Sequence, residues 1–220
     1  MSWDLKEALL HTSRQIQTAR DQLSDLDAAL GDGDHGMSMA RSFAAVEREL
    51  TATDSTDQAD LLELVGNTVL NAVGGAMGPL FGSAFLSSAK ALRSTAAEAS
   101  SPERTAAAIT AAAAAIQKRG KAEVGDKTMV DAIVPAAQAA ATAAKEVGAT
   151  SASVLRAAAE AAAAGAERTK DLVARIGRAS RLGERTLGHQ DPGATSITLA
   201  LESLAAAAGA PVGQPILTLN

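Results

Sequence analysis

Residues 26–41 read LDAALGDGDHGMSMAR, which places three carboxylates among three glycines. Before this stretch, apolar side chains recur every three or four residues, the spacing of one amphipathic helix. They are Leu5, Leu9, Ile16, Ala19, Leu23, Leu26 and Leu30. The pattern predicts a helix from about Trp3 to Leu30, with Asp27 in its last turn. A carboxylate there faces the negative end of the helix macrodipole, so its position favours a cation beside it.

The residues that follow this helix predict where that cation would sit. Gly31 and Gly33 give the backbone conformations that other residues avoid, so we expect Asp32 and Asp34 to turn back toward Asp27. Three carboxylates around one point suit a hard cation such as Mg²⁺ or Ca²⁺. The stretch therefore predicts a metal site built by one helix end and the turn after it.

The next residues bear on which cation binds and what accompanies it. A calcium loop of the EF-hand type would need an oxygen ligand at position 36 and a glutamate at 43, but the chain has Gly36 and Phe43. Mg²⁺ keeps positions for water or phosphate oxygens. A helix predicted to begin near His35 would offer its free backbone N–H groups to a phosphate. Together these features predict a Mg-nucleotide site.

A second interpretation of the same stretch stays open. Asp-Gly-Asp also favours a tight, solvated turn for purely local reasons, and an isolated histidine at position 35 would be a surface or capping residue. Two later glycine-rich segments, at 74–79 and 177–193, favour the metal-nucleotide interpretation, because long or glycine-rich connections in compact domains are often functional.

Composition predicts an all-α protein. The chain has 220 residues, of which 47% are hydrophobic and 2% aromatic, and alanine-rich helical patterns run through it without alternating strand patterns. A chain of this length buries a sizeable core, here built from Leu, Ala, Val and Ile. Small alanine faces let helices approach closely, as in a tight bundle.

Charge, cysteine content and hydropathy exclude several classes of function. The chain lacks cysteine, which excludes disulfides and thiolate metal sites. A net charge of −5 argues against a broad nucleic-acid surface. The N-terminal residues MSWDLKEALL lack the pattern of a signal peptide, and no apolar run approaches the roughly 18 residues that span a membrane. We therefore expect a cytoplasmic protein with neither nucleic acid nor membrane as partner.

The order of helices and breaks predicts where a site would form. Helices are expected at about 3–30, 35–50, 61–71, from 79 onward, 101–117, from 128 onward, 151–173 with a break at Gly165, and 194–208. Glycine-rich breaks fall at 31–36, 74–79, 120–128 and 177–193. Because alternate connections of an up-and-down bundle lie at the same end, these four breaks would meet at one rim.

Four segments occur in an order that is similar to a known family: LDAALGDGDHG, GGAMGPLFG, GDKTMVDA and GRASRLGERTLGHQDPGA. They resemble the nucleotide-binding L subunit of dihydroxyacetone kinases over nearly the whole chain. The resemblance implies an eight-helix up-and-down barrel with the nucleotide at one rim. It also implies one helical domain over residues 1–208, followed by an irregular tail over 209–220.

The resemblance further implies roles for individual residues. Two Mg²⁺ ions would be held by Asp27, Asp32 and Asp34. The nucleotide would be bound by His35, Gly36, Met37, Ser38, Ala76, Met77, Gly120, Met129, Arg178, Asp191, Pro192 and Gly193. The chain departs from the family at Ala76 and Met77, where hydroxyl side chains are expected, and at Ser38, where asparagine is common. Only backbone N–H groups would then contact phosphate at Ala76 and Met77.

The function implied is phosphoryl transfer from Mg-bound ADP or ATP to dihydroxyacetone on a separate K subunit. The histidine that binds the substrate is expected on that subunit, so no catalytic residue is predicted in this chain. We expect the donor to be a phosphotransferase-system protein that recharges bound ADP. The alternatives are an ATP-dependent kinase subunit for another small ketose, and a nucleotide-sensing module that binds a transcription regulator.

Overall fold

The protein folds entirely into helices in the residues that the computed structural model describes, which are 4–96, 99 and 101–210. These helices are α1 (Leu5–Thr18), α2 (Arg20–Ala28), α3 (His35–Ala52), α4 (Gln58–Ala72), α5 (Met77–Ser94), α6 (Ser101–Gly120), α7 (Val130–Ala143), α8 (Ser151–Arg168) and α9 (Pro192–Ala207). Two 3₁₀ segments, Thr169–Asp171 and Ala179–Thr186, lie between α8 and α9. The predicted all-α class is confirmed.

The helices close into a ring. From α3 onward each helix packs against the next one along the chain, and α9 packs against α1. Both α1 and α2 contact α3 and α9, so these two helices together occupy one position in the wall of the barrel. We call each such position a stave. Over the described residues the result is a barrel of eight staves, as expected for up-and-down helices.

The first stave differs from the sequence prediction, because a single helix from Trp3 to Leu30 was expected. Trp3 lies outside the described residues, and the helix is interrupted at the buried Ala19, whose ψ is 3°. The hydroxyl of Thr18 donates to the carbonyl of Arg14 at 2.9 Å. Such bonds can bend a helix, but Thr12 and Ser13 make the same bond inside α1 without interrupting it, so this contact alone does not explain the break.

The predicted break at Gly165 is wrong. Helix α8 runs through this residue, which is buried. A Cβ atom at position 165 would lie 2.1 Å from the carbonyl oxygen of Asp131 on α7. The glycine therefore serves close packing between two neighbouring helices rather than a change of chain direction.

The two ends of the barrel carry different connections. Segments 29–34, 73–76, 121–129 and 169–191 supply residues to one large cavity at the end that we call the rim. At the opposite end, the ammonium of Lys6 donates to the carbonyl of Thr53 at 2.6 Å, so the start of α1 lies beside the connection after α3. A separate cavity of about 140 Å³ lies inside the barrel among apolar side chains.

Two remaining expectations concern the chain ends and the membrane. The predicted tail, 209–220, falls outside the described residues from position 211 onward. The last helix begins at Pro192, two residues earlier than predicted, with Asp191 as its N-cap. Within the described ranges, every helix is too short or too polar to cross a membrane.

Candidate functional site

Three carboxylates meet at the rim. Asp27 stands in the last turn of α2, and Asp32 and Asp34 belong to the connection that leads into α3. One oxygen from each carboxylate lies within 4.8 Å of the others. Oxygen ligands at this spacing, with two of the three residues exposed, fit a Mg²⁺ ion that keeps positions for water or phosphate.

Local backbone contacts explain why the carboxylates converge. The backbone N–H of His35 donates to Oδ2 of Asp27 at 3.2 Å, which joins the end of α2 to the start of α3. Gly33 has a φ of +74°, a conformation that glycine adopts readily. Gly31 acts differently from the prediction: a Cβ there would approach Oδ1 of Asp27 to 2.9 Å, so this glycine leaves room for the carboxylate.

One cation already reaches this cluster. Arg178, from the connection between α8 and α9, donates from Nη1 to Oδ2 of Asp32. The same nitrogen lies 3.8 Å from Oδ2 of Asp34. The guanidinium is 61% exposed, so it can turn toward a bound ligand without leaving a buried partner unpaired.

The rim cavity has a volume of about 560 Å³ and receives four helix N-termini. The first residues of α3, α5, α7 and α9, which are His35, Met77, Val130 and Pro192, all line it. Some first-turn N–H groups already have partners, such as that of Ala194, which donates to Asp191, and that of His35, which donates to Asp27. Each N-terminus nevertheless presents the positive end of a helix macrodipole. Four of them around one cavity form a suitable site for a polyphosphate.

Another part of the cavity wall is apolar. It is formed by Leu80 of α5, Ile116 of α6 and Met129 beside α7, with Gly120 and Thr128 next to them. Small-molecule sites combine such surfaces with a few convergent polar groups. The arrangement suits a ligand that has a flat apolar part and a charged part, as a nucleotide has.

The DAK2 domain profile matches residues 29–206 of the chain. The chain belongs to the DAK2 domain family. The match begins two residues after Asp27, so the carboxylate contributed by α2 lies just outside it. Asp32 and Asp34 lie within the matched residues, and the structure brings Asp27 beside them.

Similar proteins have been given names that describe kinase subunits. The chain is 40% identical over 193 residues to the "PEP-dependent dihydroxyacetone kinase, ADP-binding subunit DhaL" of Escherichia coli, covering 88% of this chain and 90% of that protein. It is 39% identical over 190 residues to the ADP-binding subunit DhaL of "PEP-dependent dihydroxyacetone kinase 1" of Listeria innocua, covering 86% and 88%.

A solved structure resembles this DAK2 domain in three dimensions. It is the dihydroxyacetone kinase from C. freundii in complex with AMP-PNP and Mg²⁺. The TM-score is 0.71 at 28% identity, and the match covers 91% of this chain but 33% of that longer protein. The likeness supports the barrel fold, and the ligands in that crystal are those of the other protein.

Most of the nucleotide-binding residues predicted from the sequence line the rim cavity of this DAK2 domain. They are His35, Ser38, Ala76, Met77, Gly120, Met129, Arg178, Asp191, Pro192 and Gly193. Gly36 and Met37 do not line it. A Cβ at Gly36 would lie 1.9 Å from the carbonyl oxygen of Arg20, so Gly36 lets α3 pack against α2, and Met37 is 49% exposed. The contacts of all twelve residues with nucleotide stay predictions.

The ring of His35 faces α9. Its Nε2 lies 2.8 Å from Oγ of Ser196. Burial lowers the pKa of His35, and the nearby carboxylates of Asp27 and Asp34 act in the opposite direction. The neutral ring that burial favours links the first turns of α3 and α9 beside the carboxylate cluster.

Asp191 is both a helix cap and a perturbed acid. Its Oδ2 accepts the backbone N–H of Ala194 at 2.7 Å, as an N-cap does. The pKa of Asp191 is raised to about 7: burial and the nearby Asp131 raise it, and the amides of Ala194 and Gly193 and the ammonium of Lys127 act in the opposite direction. The first turn of α9 thus holds a titratable group at the cavity wall.

Sequence reasoning missed two features of the 121–131 segment. Asp131 is buried and accepts the N–H groups of Gly125 at 2.6 Å and Thr128 at 2.8 Å, which shapes the connection before α7. Lys127, which could be interpreted as a solvated loop lysine or as a phosphate ligand, is 2% exposed. The role of Asp131 could have been predicted, because an acidic residue three positions after a threonine is typical of a helix start. Nothing in the local pattern predicted the burial of Lys127.

Proposed function

We propose that this DAK2 domain binds ADP or ATP with two Mg²⁺ ions and supplies the phosphoryl group to dihydroxyacetone held on a separate K subunit. The observation that carries the proposal is the cluster of Asp27, Asp32 and Asp34 at a rim where four helix N-termini converge. The names of the E. coli and L. innocua relatives support the same reaction.

In this proposal the chain positions the phosphates and neutralises their charge. Bound Mg²⁺ would offset the charge of the carboxylates and polarise phosphoryl oxygens. The N-termini of α3 and α5 would hold the polyphosphate through backbone N–H groups, which matters most at Ala76 and Met77 because neither has a side-chain donor. The N-terminus of α9, whose Ala194 N–H donates to Asp191, would contribute the positive end of its macrodipole. Arg178 turns from Asp32 toward the terminal phosphate, where positive charge stabilises the transferring group.

We propose that the nucleotide is rephosphorylated while it stays bound to the protein. Both bacterial relatives are named ADP-binding subunits of PEP-dependent kinases, which favours ADP as a bound coenzyme that a phosphotransferase-system protein rephosphorylates. An ATP-dependent subunit acting on another small ketose is the alternative. Association with a transcription regulator and a cytoplasmic location stay predictions.

The first experiment is the nucleotide content of freshly purified protein, before and after Mg²⁺ chelation. One equivalent of ADP that leaves only with chelator supports a metal-held coenzyme. An empty protein that exchanges ATP rapidly supports the ATP-dependent alternative. If neither nucleotide binds in the presence of Mg²⁺, the proposal fails.

The second experiment measures transfer with the partner. The protein is mixed with the K subunit, dihydroxyacetone and either ATP or the PEP-driven phosphotransferase system. Formation of dihydroxyacetone phosphate from one donor alone identifies the branch. Nucleotide binding without transfer from either donor would contradict the enzymatic role.

A further inference from the structure

Lys127 is a buried cation at the base of the connection that carries Arg178. It is 2% exposed, and its ammonium donates to the backbone carbonyl of Thr169 and, at 2.5 Å, to that of His189. Thr169 follows the last residue of α8, and His189 lies three residues before α9 begins. One side chain therefore holds both ends of the segment 170–188, which we call the arginine loop.

Other hydrogen bonds join the two ends of the arginine loop, which we call its neck. The N–H of Gly188 donates to the carbonyl of Lys170 at 2.8 Å, and the N–H of Asp191 donates to Oγ1 of Thr169 at 2.8 Å. These bonds join the two ends of the arginine loop to each other. Lys127 ties these two ends to the connection before α7, on another part of the barrel. A backbone bond joins the same two segments further along the loop, where the N–H of Arg175 donates to the carbonyl of Asp126 at 3.2 Å.

The environment of Lys127 is arranged for a charged group. Desolvation lowers the pKa of its ammonium, while the carboxylates of Asp191, Asp131 and Asp171 raise it. A buried ammonium is costly unless it is paired and hydrogen-bonded, and here two carbonyls and three neighbouring carboxylates meet that need. The residue also has a φ of +59°. This conformation is uncommon for residues other than glycine.

A direct role of Lys127 on phosphate fits these contacts poorly. The side chain lines the rim cavity, but its ammonium is directed at two backbone carbonyls and is almost completely shielded from solvent. Reaching a phosphate would require both hydrogen bonds to break. Arg178, which is 61% exposed and contacts Asp32, is a cation of the same cavity that can respond to a ligand without leaving a buried site.

We propose that Lys127 is a positioning residue: its ammonium fixes the arginine loop to the barrel and thereby holds Arg178 over Asp27, Asp32 and Asp34. The catalytic part of this inference rests on the proposed phosphoryl transfer. The mechanical part, a loop whose two ends are fixed to the barrel by a buried ammonium, does not depend on any ligand. The two parts are therefore tested separately.

The mechanical part is tested by hydrogen exchange of the nucleotide-free protein. Lys127→Met removes the charge but keeps an unbranched side chain, and Lys121→Met is the matched control, because Lys121 is an exposed lysine of the same connection that also has a positive φ. We expect Lys127→Met to accelerate exchange about tenfold or more within 170–188 and to leave α4 unchanged. Unchanged exchange in the loop, or equal acceleration throughout the chain, would overturn the proposal.

The catalytic part is tested by a double-mutant cycle with Arg178→Gln. We expect Lys127→Met to lower the single-turnover transfer rate about 10- to 100-fold while the Mg-ADP dissociation constant changes less than about threefold. In the Arg178→Gln background the same change should cost less than about twofold, because its effect passes through Arg178. Independent, multiplicative losses would overturn this role.

Failure of the proposed function would give a different pattern. If the wild-type protein transfers no phosphoryl group under any condition, the proposed function falls, and the exchange experiment still decides whether Lys127 holds the loop. If transfer occurs and Lys127→Met is fully active, the positioning role falls and the proposed function stands.

Discussion

Asp27 connects two helices and completes the carboxylate cluster at the same time. Its backbone carbonyl accepts the N–H of Gly31 at 2.6 Å, and its side chain accepts the N–H of His35. The end of α2 is thus held against the start of α3 by the residue that contributes a carboxylate to the cluster. Asparagine at this position would keep a hydrogen-bond acceptor and remove the charge.

We expect Asp27→Asn to weaken Mg²⁺-dependent ADP binding by about 100-fold or more, because it removes a charged oxygen from the metal cluster. Calorimetric titration with ADP at fixed Mg²⁺ measures the change. Asp25→Asn is the matched control, since Asp25 is exposed on the same helix and does not line the cavity. Equal binding by the two variants would contradict a metal-ligand role for Asp27.

Arg178 competes with a metal ion for the same carboxylates in the nucleotide-free state. We expect Arg178→Gln to strengthen binding of Mg²⁺ alone by about two- to fivefold, a modest gain because exposed ion pairs are weak. Titration with Mg²⁺ in the absence of nucleotide measures it, and Arg175→Gln on the same loop is the control. Weaker or unchanged Mg²⁺ binding by Arg178→Gln would show that the guanidinium does not occupy the metal position.

The raised pKa of Asp191 predicts that the stability of the protein depends on pH. Its pKa is raised to about 7 in the folded protein, above the usual value of about 3.9 for an unfolded aspartate. Between about pH 4 and 7 the folded state binds more protons than the unfolded state, so this group makes the free energy of unfolding fall as pH rises through that window. The total change is at most about 4 kcal/mol.

Denaturant titrations at pH 5 and pH 8 measure this effect. Asp191→Asn retains an N-cap side chain but cannot ionise, so its stability should decrease less between the two pH values than that of the wild type. The same decrease in both proteins would assign the pH dependence to other groups.

At the scale of elements, α7 and α8 approach each other where a glycine replaces a side chain. Gly165→Ala would gain about 1 kcal/mol from helix propensity alone. The added Cβ would lie 2.1 Å from the carbonyl oxygen of Asp131, and overpacking of this kind costs about 1–3 kcal/mol or more. We expect a net loss of about 1–2 kcal/mol in the free energy of unfolding.

Ala164→Gly provides the comparison for that prediction. Residue 164 is exposed on the same helix, so glycine there should cost about 1 kcal/mol through propensity. Urea unfolding measures the free energy of unfolding of both variants. If alanine gave the more stable protein at position 165 as well as at position 164, the close packing at Gly165 would be disproved.

The elements also show what a sequence can and cannot predict. The staves follow from apolar spacing, and the convergence of Asp27, Asp32 and Asp34 follows from glycines beside a helix end, both of which are local signals. The interruption at Ala19 leaves the buried apolar positions Ile16, Ala19 and Leu23 at helical spacing, so periodicity does not register it. Gly165 was mistaken for a break because its purpose, contact with Asp131, involves a residue 34 positions away.

The burial of Lys127 at the site could not be predicted from the local sequence either. A lysine between aspartate and threonine in a glycine-containing connection has the pattern of a solvated residue, yet its two hydrogen-bond partners are 42 and 62 residues further along the chain. Only closure of the barrel brings those carbonyls together. Its burial is therefore a property of the folded chain rather than of the local sequence.

At the scale of the whole molecule, ligand binding at the rim should raise the melting temperature. Mg-ADP at about 100 times its dissociation constant adds about 2.7 kcal/mol to the free energy of unfolding, which corresponds to roughly 5–10 °C for a chain of this size. Thermal scans with ADP and Mg²⁺, and with ADP and chelator, measure the difference. An equal rise in both would contradict binding through the metal.

The closed ring of helices brings the beginning and the end of the helical chain close together. Because α9 packs against α1, and Leu5 and Leu204 line the same interior cavity, the two ends of the helical chain lie on the face opposite the rim. A circularly permuted protein, with those ends joined by a short flexible linker and new termini opened within 53–57, would keep every stave and its neighbours. Protein engineers could thus attach a reporter at either junction with the whole length of the barrel between it and the rim cavity.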